Sequence, residues 1–280
     1  MGLSETRKAL SVIISAITSL AAAALIISFV LGFALNSQPF LERLLVTDSL
    51  VAECEAQLDS KYAVLEAETG IPSRVFAQVK TNYGVGDSLN RALQNVYTAE
   101  DASLYNNSTV EFFNKLCTEY FEGSNIEYDK DDVQRTAVEA ARIFSDTVGF
   151  HNADSAAKRI EALRSGCSAV ELGALMFILL GMLSVVILYT DRKKGIIYNF
   201  IGLSGGSLGA AVAAALCIIF KSYNKISIMP EVFAGAAGNA VKICLFLVIP
   251  AGLILATASY IGFFITYKKI EKANERSIVV

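Results

Sequence analysis

Residues 9–41 read ALSVIISAITSLAAAALIISFVLGFALNSQPFL, an uninterrupted stretch of 33 residues without a charged side chain between Lys8 and Glu42. A helix crosses ~30 Å of hydrocarbon at ~1.5 Å per residue, so about 20 mostly apolar residues suffice. The same test finds three more charge-free stretches: 19 residues between Glu171 and Asp191, 26 between Lys194 and Lys221, and 25 between Lys242 and Lys268. Four spans are therefore expected, at residues 10–35, 168–190, 197–220 and 241–267. The 280-residue composition agrees: 54% hydrophobic, 18% charged and a mean hydropathy of +0.48. Soluble domains run ~45–50% apolar and ~25% charged. The net charge of −3 argues against nucleic-acid binding.

The first span follows Arg7 and Lys8, as a signal peptide would, but its apolar run is far longer than the ~7–15 residues of a cleaved segment. Phe33-Ala34-Leu35-Asn36 is a poor cleavage site, so it reads as an uncleaved signal-anchor. Gly2 and Thr6 also fit a short myristoylation pattern, which would add little to a four-span chain.

Lysine and arginine bias orients the spans. The expected inner segments are residues 1–9 with Arg7 and Lys8, the turn 191–196 with Arg192, Lys193 and Lys194, and the tail 268–280 with Lys268, Lys269, Lys272 and Arg276. Residues 36–167 then lie outside, and 221–240 form a second outer loop. Between Glu42 and Arg164 stand 21 acidic and 12 basic residues, a net of −9. The expected fold is all-α: a four-helix transmembrane bundle with a helical extracytoplasmic domain inserted between spans 1 and 2. Both termini are expected in the cytoplasm, with the spans in the plasma membrane.

Residues 36–168 are punctuated as helices. Pro39 suits a first turn, Thr47-Asp48-Ser49 a restart, and Gly70 followed by Pro72 a stop. A short helix should run from Pro72 to Val79, with a loop at Asn82–Gly86 and Asp87 capping the next helix. Ser108-Thr109-Val110-Glu111 reads as a capping box before Phe112, Phe113 and Leu116. Gly123 is expected to stop that helix, and Asp131 to cap the following one, which ends near Gly149. Val133, Ala137, Ala140, Ala141 and Phe144 recur at the spacing of one buried face. Asp154 should open a last helix running into span 2.

Chemistry-bearing residues are few. His151 is the only histidine, and a catalytic triad or a zinc site would have to use it. Cys54, Cys117 and Cys167 fall outside or at the outer boundary and allow three alternative bridges. Cys217 and Cys244 fall at similar depth and read as small apolar packing residues. Gly202, Gly205, Gly206 and Gly209 make two overlapping G-x-x-x-G pairs, a device for close helix packing in lipid. Pro250 is expected to bend span 4. Glu171 and Lys242, near the outer boundary, could pair. Asn106-Asn107-Ser108-Thr109 holds two overlapping glycosylation sequons.

No catalytic residue, cofactor site or metal site is expected. Function is expected instead in binding, through the aromatics Phe112, Phe113, Tyr120, Phe121 and Tyr128 with Glu119, Glu122, Glu127 and Asp129. Tyr97 and Tyr105 are further outer aromatics. The expected partners are the bilayer and a protein reached through the outer domain.

A basic tail, a span, an acidic helical domain and three clustered spans resemble a group of uncharacterised four-span membrane proteins of Gram-positive bacteria. Asn36-Ser37-Gln38-Pro39-Phe40-Leu41 and Glu68-Thr69-Gly70-Ile71-Pro72 with Val75-Phe76 carry that resemblance. It implies no activity. The layout also resembles permease subunits of macrolide-exporter-type ABC transporters, where a coupling helix lies between spans 2 and 3. Arg192-Lys193-Lys194-Gly195-Ile196 stands at that place, but the 26 residues before Lys221 hold one span and no separate coupling helix.

The threading is open to a direct check. Thiols engineered at Asn107 and Asn125 should be labelled on intact cells above the native background, and those at Lys193 and Asn274 should not. Labelling of Lys193 from outside reverses the topology.

Overall fold

In the computed structural model, residues 3–98, 106–149, 153–189, 192–225 and 232–278 are described. They are helical throughout, with no strand among them. Ten α-helices follow in order: α1 Leu3–Asn36, α2 Gln38–Leu45, α3 Asp48–Thr69, α4 Ser73–Phe76, α5 Val85–Thr98, α6 Asn107–Ser124, α7 Lys130–Val148, α8 Ala153–Leu188, α9 Arg192–Ile219 and α10 Val232–Ile278. Four of them, α1, α8, α9 and α10, are long and apolar enough to cross a membrane. The chain divides into two compact units. One comprises residues 1–37, 162–226 and 240–280; the other comprises 38–161 and 227–239.

The first unit is held by small residues. Along α1 the buried positions Ser11, Ser15, Thr18, Ala22, Ile26, Val30 and Ala34 make one stripe at three- and four-residue spacing, with Ser28 and Gly32 buried beside it. A Cβ on Gly202 of α9 would lie 2.8 Å from the Ser15 carbonyl oxygen, and one on Gly206 would overlap the Ser19 carbonyl. Gly205 has only the Ser19 hydroxyl at 3.4 Å, and Gly209 faces open space. Of the two G-x-x-x-G pairs, 202/206 therefore makes the contact with α1, because a four-residue step keeps one side of the helix facing it.

The pairing directions follow from these contacts. Gly202 meets Ser15 and Gly206 meets Ser19, so α1 and α9 are parallel. On α8, Gly181 approaches Thr18 while Gly32 of α1 approaches Glu171, so α8 is antiparallel to α1. On α10, Gly252 approaches Ser207 and Ala211, and Gly262 approaches Phe200, so α10 is antiparallel to α9. Pro250 is accommodated inside α10, which continues on both sides of it.

Between the charged helix ends, many outward-facing side chains of this unit are large and apolar, among them Leu20, Phe29, Leu179, Ile187, Ile219 and Ile254. Only 17–33% of the residues in the most apolar stretch of each long helix are buried. Water would penalise such a surface, and hydrocarbon would not.

The second unit has its own core. On α3, Leu50, Cys54, Leu58, Tyr62 and Leu65 form one buried face, and on α7 the face is Val133, Ala137, Ala140, Ala141 and Phe144. The alanines on α7 let α3 come close. Tyr62, Phe76 and Phe113 meet at the centre with ring centroids 5.5–6.5 Å apart, and each such ring contributes about 1.5–3 kcal/mol through burial. Phe233 and Ala236, from the first turns of α10, belong to the same core. Residues 232–239 are thus helical, although they fall within the stretch read from sequence as the outer loop 221–240.

Local signals were displaced in several places. Thr47 caps α3 by accepting from the Leu50 amide, and Gly70 ends it at φ 75°, as expected. The capping box at Ser108 is not formed. Asn106 caps α6, its side-chain oxygen accepting from the Thr109 amide and from the Ser108 and Thr109 hydroxyls. Two residues after Gly123, Asn125 takes the left-handed stop at φ 51°. Asp129 rather than Asp131 caps α7, its carboxylate accepting from the Asp131 amide. The expected loop at 82–86 is a wide helical turn, Lys80–Gly84, leading directly into α5, so Asp87 lies in the first turn instead of capping it.

Gly206→Leu should lower the thermal stability of the detergent-solubilised protein by about 1–3 kcal/mol through overpacking. Gly209→Leu, facing open space, should leave it nearly unchanged. Equal effects of the two substitutions would contradict the α1–α9 contact.

Candidate functional site

The aromatic and acidic residues singled out on α6 divide in the structure. Phe113 is fully buried in the core, and Phe112 packs against it edge-on at 5.6 Å. Phe112, like Tyr120, is half-buried against the core and does not line the cleft beside Phe121. Phe121 and Tyr128 stay half-buried at the rim and stack at 5.2 Å with an interplanar angle of 20°. They form one wall of a cavity of about 490 Å³. Glu127 and Asp129 line it as well, whereas Glu119 and Glu122 do not. Glu119 stands opposite Lys115 at 3.7 Å, and Glu122 accepts from the Tyr128 hydroxyl at 3.5 Å.

The cleft is positioned by the α6–α7 connection. Asn125 donates its amide to the Glu122 carbonyl and Ile126 to the Phe121 carbonyl, a double closure of the helix end. Three residues on, Asp129 caps α7. The connection is thus tied at both ends, which holds Tyr128 over Phe121. The opposite wall comes from the end of α3, through Glu68, Thr69 and neighbouring Ile71, and from the start of α7, through Asp132 and Arg135.

Four carboxylates and one guanidinium line the cleft. Asp129 is engaged by the α7 cap, and Asp132 pairs with Arg135 at 2.9 Å. That pair is well exposed and contributes little stability. Glu68 and Glu127 make no ion pair among the described residues. The cleft therefore combines unpaired negative charge with flat aromatic faces, the two features that attract a cation. Beside it, at the start of α4, the Ser73 amide donates to Glu66 at 2.8 Å. Hydrogen bonding from Ser73 holds the Glu66 carboxyl below its ordinary range.

The other sequence candidates do not assemble. His151 and Tyr105 lie outside the described residues. All five cysteines are free thiols, so none of the alternative bridges is formed. Glu171 and Lys242 do not pair: the Lys242 ammonium lies 5.6 Å from the centre of the Tyr223 ring, and Glu171 lies beside Gly32. Asn106 is exposed and engaged as the α6 cap. Among the described residues, no three His, Cys, Asp or Glu side chains converge to hold a metal ion.

A polar seam inside the first unit was not anticipated. The Ser11 hydroxyl lies 2.8 Å from the Arg7 carbonyl and 3.2 Å from the Tyr189 hydroxyl. The Ser15 hydroxyl donates to the Tyr198 carbonyl at 2.9 Å, and the Asn199 side chain to the Met182 carbonyl at 3.1 Å. The four-residue spacing of Ser11 and Ser15, continued by Thr18, was the available signal. These bonds join α1, α9 and the end of α8, and in hydrocarbon no water would compete for them.

No protein-family model, no curated protein and no solved structure matches this chain.

The buried thiols yield a pH prediction. Burial pushes Cys54 up to about 11, with Glu53 and Glu55 adding to it, and burial pushes Cys117 up to about 12. Both should resist alkylation at pH 8 in the folded protein and react only on unfolding. Because the folded values are raised, the thiols' contribution to stability is complete below the ordinary value of 9.0. It should fall as pH rises from there through 11 and 12. Rapid labelling of Cys117 at pH 8 in folded protein would contradict its burial.

Proposed function

We propose that this chain is a multi-pass plasma-membrane protein that acts by binding. Its four-helix unit anchors a helical domain, inserted between the first two spans, on the extracytoplasmic face. Both termini and residues 191–196, where the structure starts α9 at Arg192 in place of the turn expected from sequence, lie in the cytoplasm. The resemblance to four-span proteins of Gram-positive bacteria is part of this reading and suggests a bacterial source.

The observation that carries the binding role is the cleft between α3, the α6–α7 connection and the start of α7. A rigid connection holds stacked Phe121 and Tyr128 beside Glu68 and Glu127. Such a surface suits a partner presenting a lysine or arginine side chain: the carboxylates attract the charge, and the rings cover the aliphatic stem. The apolar unit supports the anchoring half of the proposal. Its long helices carry no charged residue at mid-depth, and they are closed on one another by glycine contacts. A pump or ion carrier ordinarily places ionisable groups there.

A permease reading would draw on the basic first turn of α9. That helix begins at Arg192 and runs unbroken to Ile219, and it supplies no separate coupling helix.

A fluorescent tetralysine peptide should bind the full-length protein in neutral detergent, read by anisotropy. The double substitution Glu68→Gln/Glu127→Gln should weaken binding by about tenfold, corresponding to ~1.4 kcal/mol. Tyr128→Ala should also weaken it. Binding that is unchanged in both variants would remove the cleft from the proposal.

A further inference from the structure

We propose that one end of the four-helix unit binds the headgroups of anionic phospholipids; this rests on reading that unit as membrane-spanning. The residues are Arg7 and Lys8 on α1, Lys193 and Lys194 on α9, and Lys268 and Lys269 on α10. They are distant in sequence, and the helix pairings bring them to the same end. Ser11 reaches Tyr189, Ser15 reaches the Tyr198 carbonyl, and Gly262 approaches Phe200. These contacts define one level across the unit. Arg7 and Lys8 precede that level on α1, Lys193 and Lys194 precede it on α9, and Lys268 and Lys269 follow Gly262 on antiparallel α10. The basic pairs therefore lie on its same side, within about two helical turns.

All six side chains are exposed. The acidic side chains described at this end are Glu5 and Glu271, which leaves a basic excess. The opposite end carries a smaller basic excess: Arg164, Lys221 and Lys242 stand with Glu171, and Arg164 donates to the Leu35 carbonyl. An anion that distinguishes the two ends should choose the more basic one.

The surroundings favour a lipid over a free anion. At this end the charges give way at once to exposed apolar side chains: Val12 and Ile13 on α1, Phe264 and Ile265 on α10, and Ile187 on neighbouring α8. The Lys268 ammonium lies 4.7 Å from the centre of the Phe264 ring. Tyr189 and Tyr198 stack at 5.6 Å at this level, a type of side chain suited to headgroup depth. A molecule covering both zones carries a phosphate and acyl chains together. Basic side chains next to a hydrocarbon boundary concentrate anionic lipid, and salt screens the attraction.

The test uses the full-length protein reconstituted in vesicles of equal parts phosphatidylcholine and phosphatidylglycerol, then extracted and examined for retained lipid by native mass spectrometry. Phosphatidylglycerol should be retained about threefold or more over phosphatidylcholine at ~0.1 M salt, with the preference fading at ~1 M. The variant Lys193→Gln/Lys194→Gln/Lys268→Gln/Lys269→Gln should lose the preference. The corresponding four Lys→Arg substitutions should keep it, as should Lys221→Gln/Lys242→Gln at the other end. Equal retention of the two lipids by the unaltered protein overturns the proposal. So does a preference that survives the four glutamines, or one abolished by inorganic phosphate at constant ionic strength. A protein that does not enter pure phosphatidylcholine vesicles instead overturns the spanning reading beneath it.

Discussion

The packing of the first unit depends on the near-contact of α9 with the backbone of α1 at Gly202 and Gly206. In hydrocarbon, burying a leucine against another helix gains little over leaving it against lipid. Association must come from close dispersion contact and from polar groups that find no water. The absent side chains at 202 and 206 permit the first. Ser15 and Asn199, bonded to the carbonyls of Tyr198 and Met182, supply the second. With α9 seated on α1, its other side meets α10 through Ser207 and Ala211 at Gly252. The small residues of α9 are thus divided among its neighbours, while Gly209 and Ala213 face outward.

The second unit follows different physics. Its core is large and aromatic, with Tyr62, Phe76 and Phe113 excluded from solvent, and the helix starts of α3, α6 and α7 are closed by side chains. Burial raises the Tyr62 hydroxyl well above its ordinary value, and its contact with the Ala140 carbonyl is long, at 3.5 Å. The buried thiols belong to the same interior, so they are packing groups held protonated. What remains at the surface is the cleft by the α6–α7 connection. Its fixed backbone and uncompensated carboxylates are the properties a recognition surface needs, because little ordering is left to be done on binding. The participation of Phe233 and Ala236 makes the unit discontinuous in sequence, and residues 38–161 alone would omit part of their own core.

Much of the architecture was written locally. Four charge-free stretches determined four long apolar helices, because the length needed to cross hydrocarbon is a property of a single segment. Gly70, Pro72 and the alanine-rich face of α7 were equally legible, since backbone stereochemistry and helical period act over a few residues. Caps were less secure. Asn106, Ser108 and Thr109 are all able caps, and the choice among them depends on where packing of Phe113 and Leu116 starts the helix. The same holds for Gly123 and Asn125, where glycine offers the easier left-handed turn and the chain takes it at asparagine.

Tertiary structure alone decided what needs two distant segments at once. Which of two identical glycine spacings faces α1 depends on the rotation of α9, which is set jointly by Ser15, Ser19, Ser207 and Ala211. The cleft joins Glu68 to Glu127 and Arg135 across some sixty residues, and no local period signals that meeting. Phe112 and Phe121 looked alike in sequence and both pack half-buried against the core, yet Phe121, and not Phe112, lines the cleft beside Tyr128. Sequence sets the length, polarity and periodicity of each helix; only packing decides which of its faces is left to meet something else.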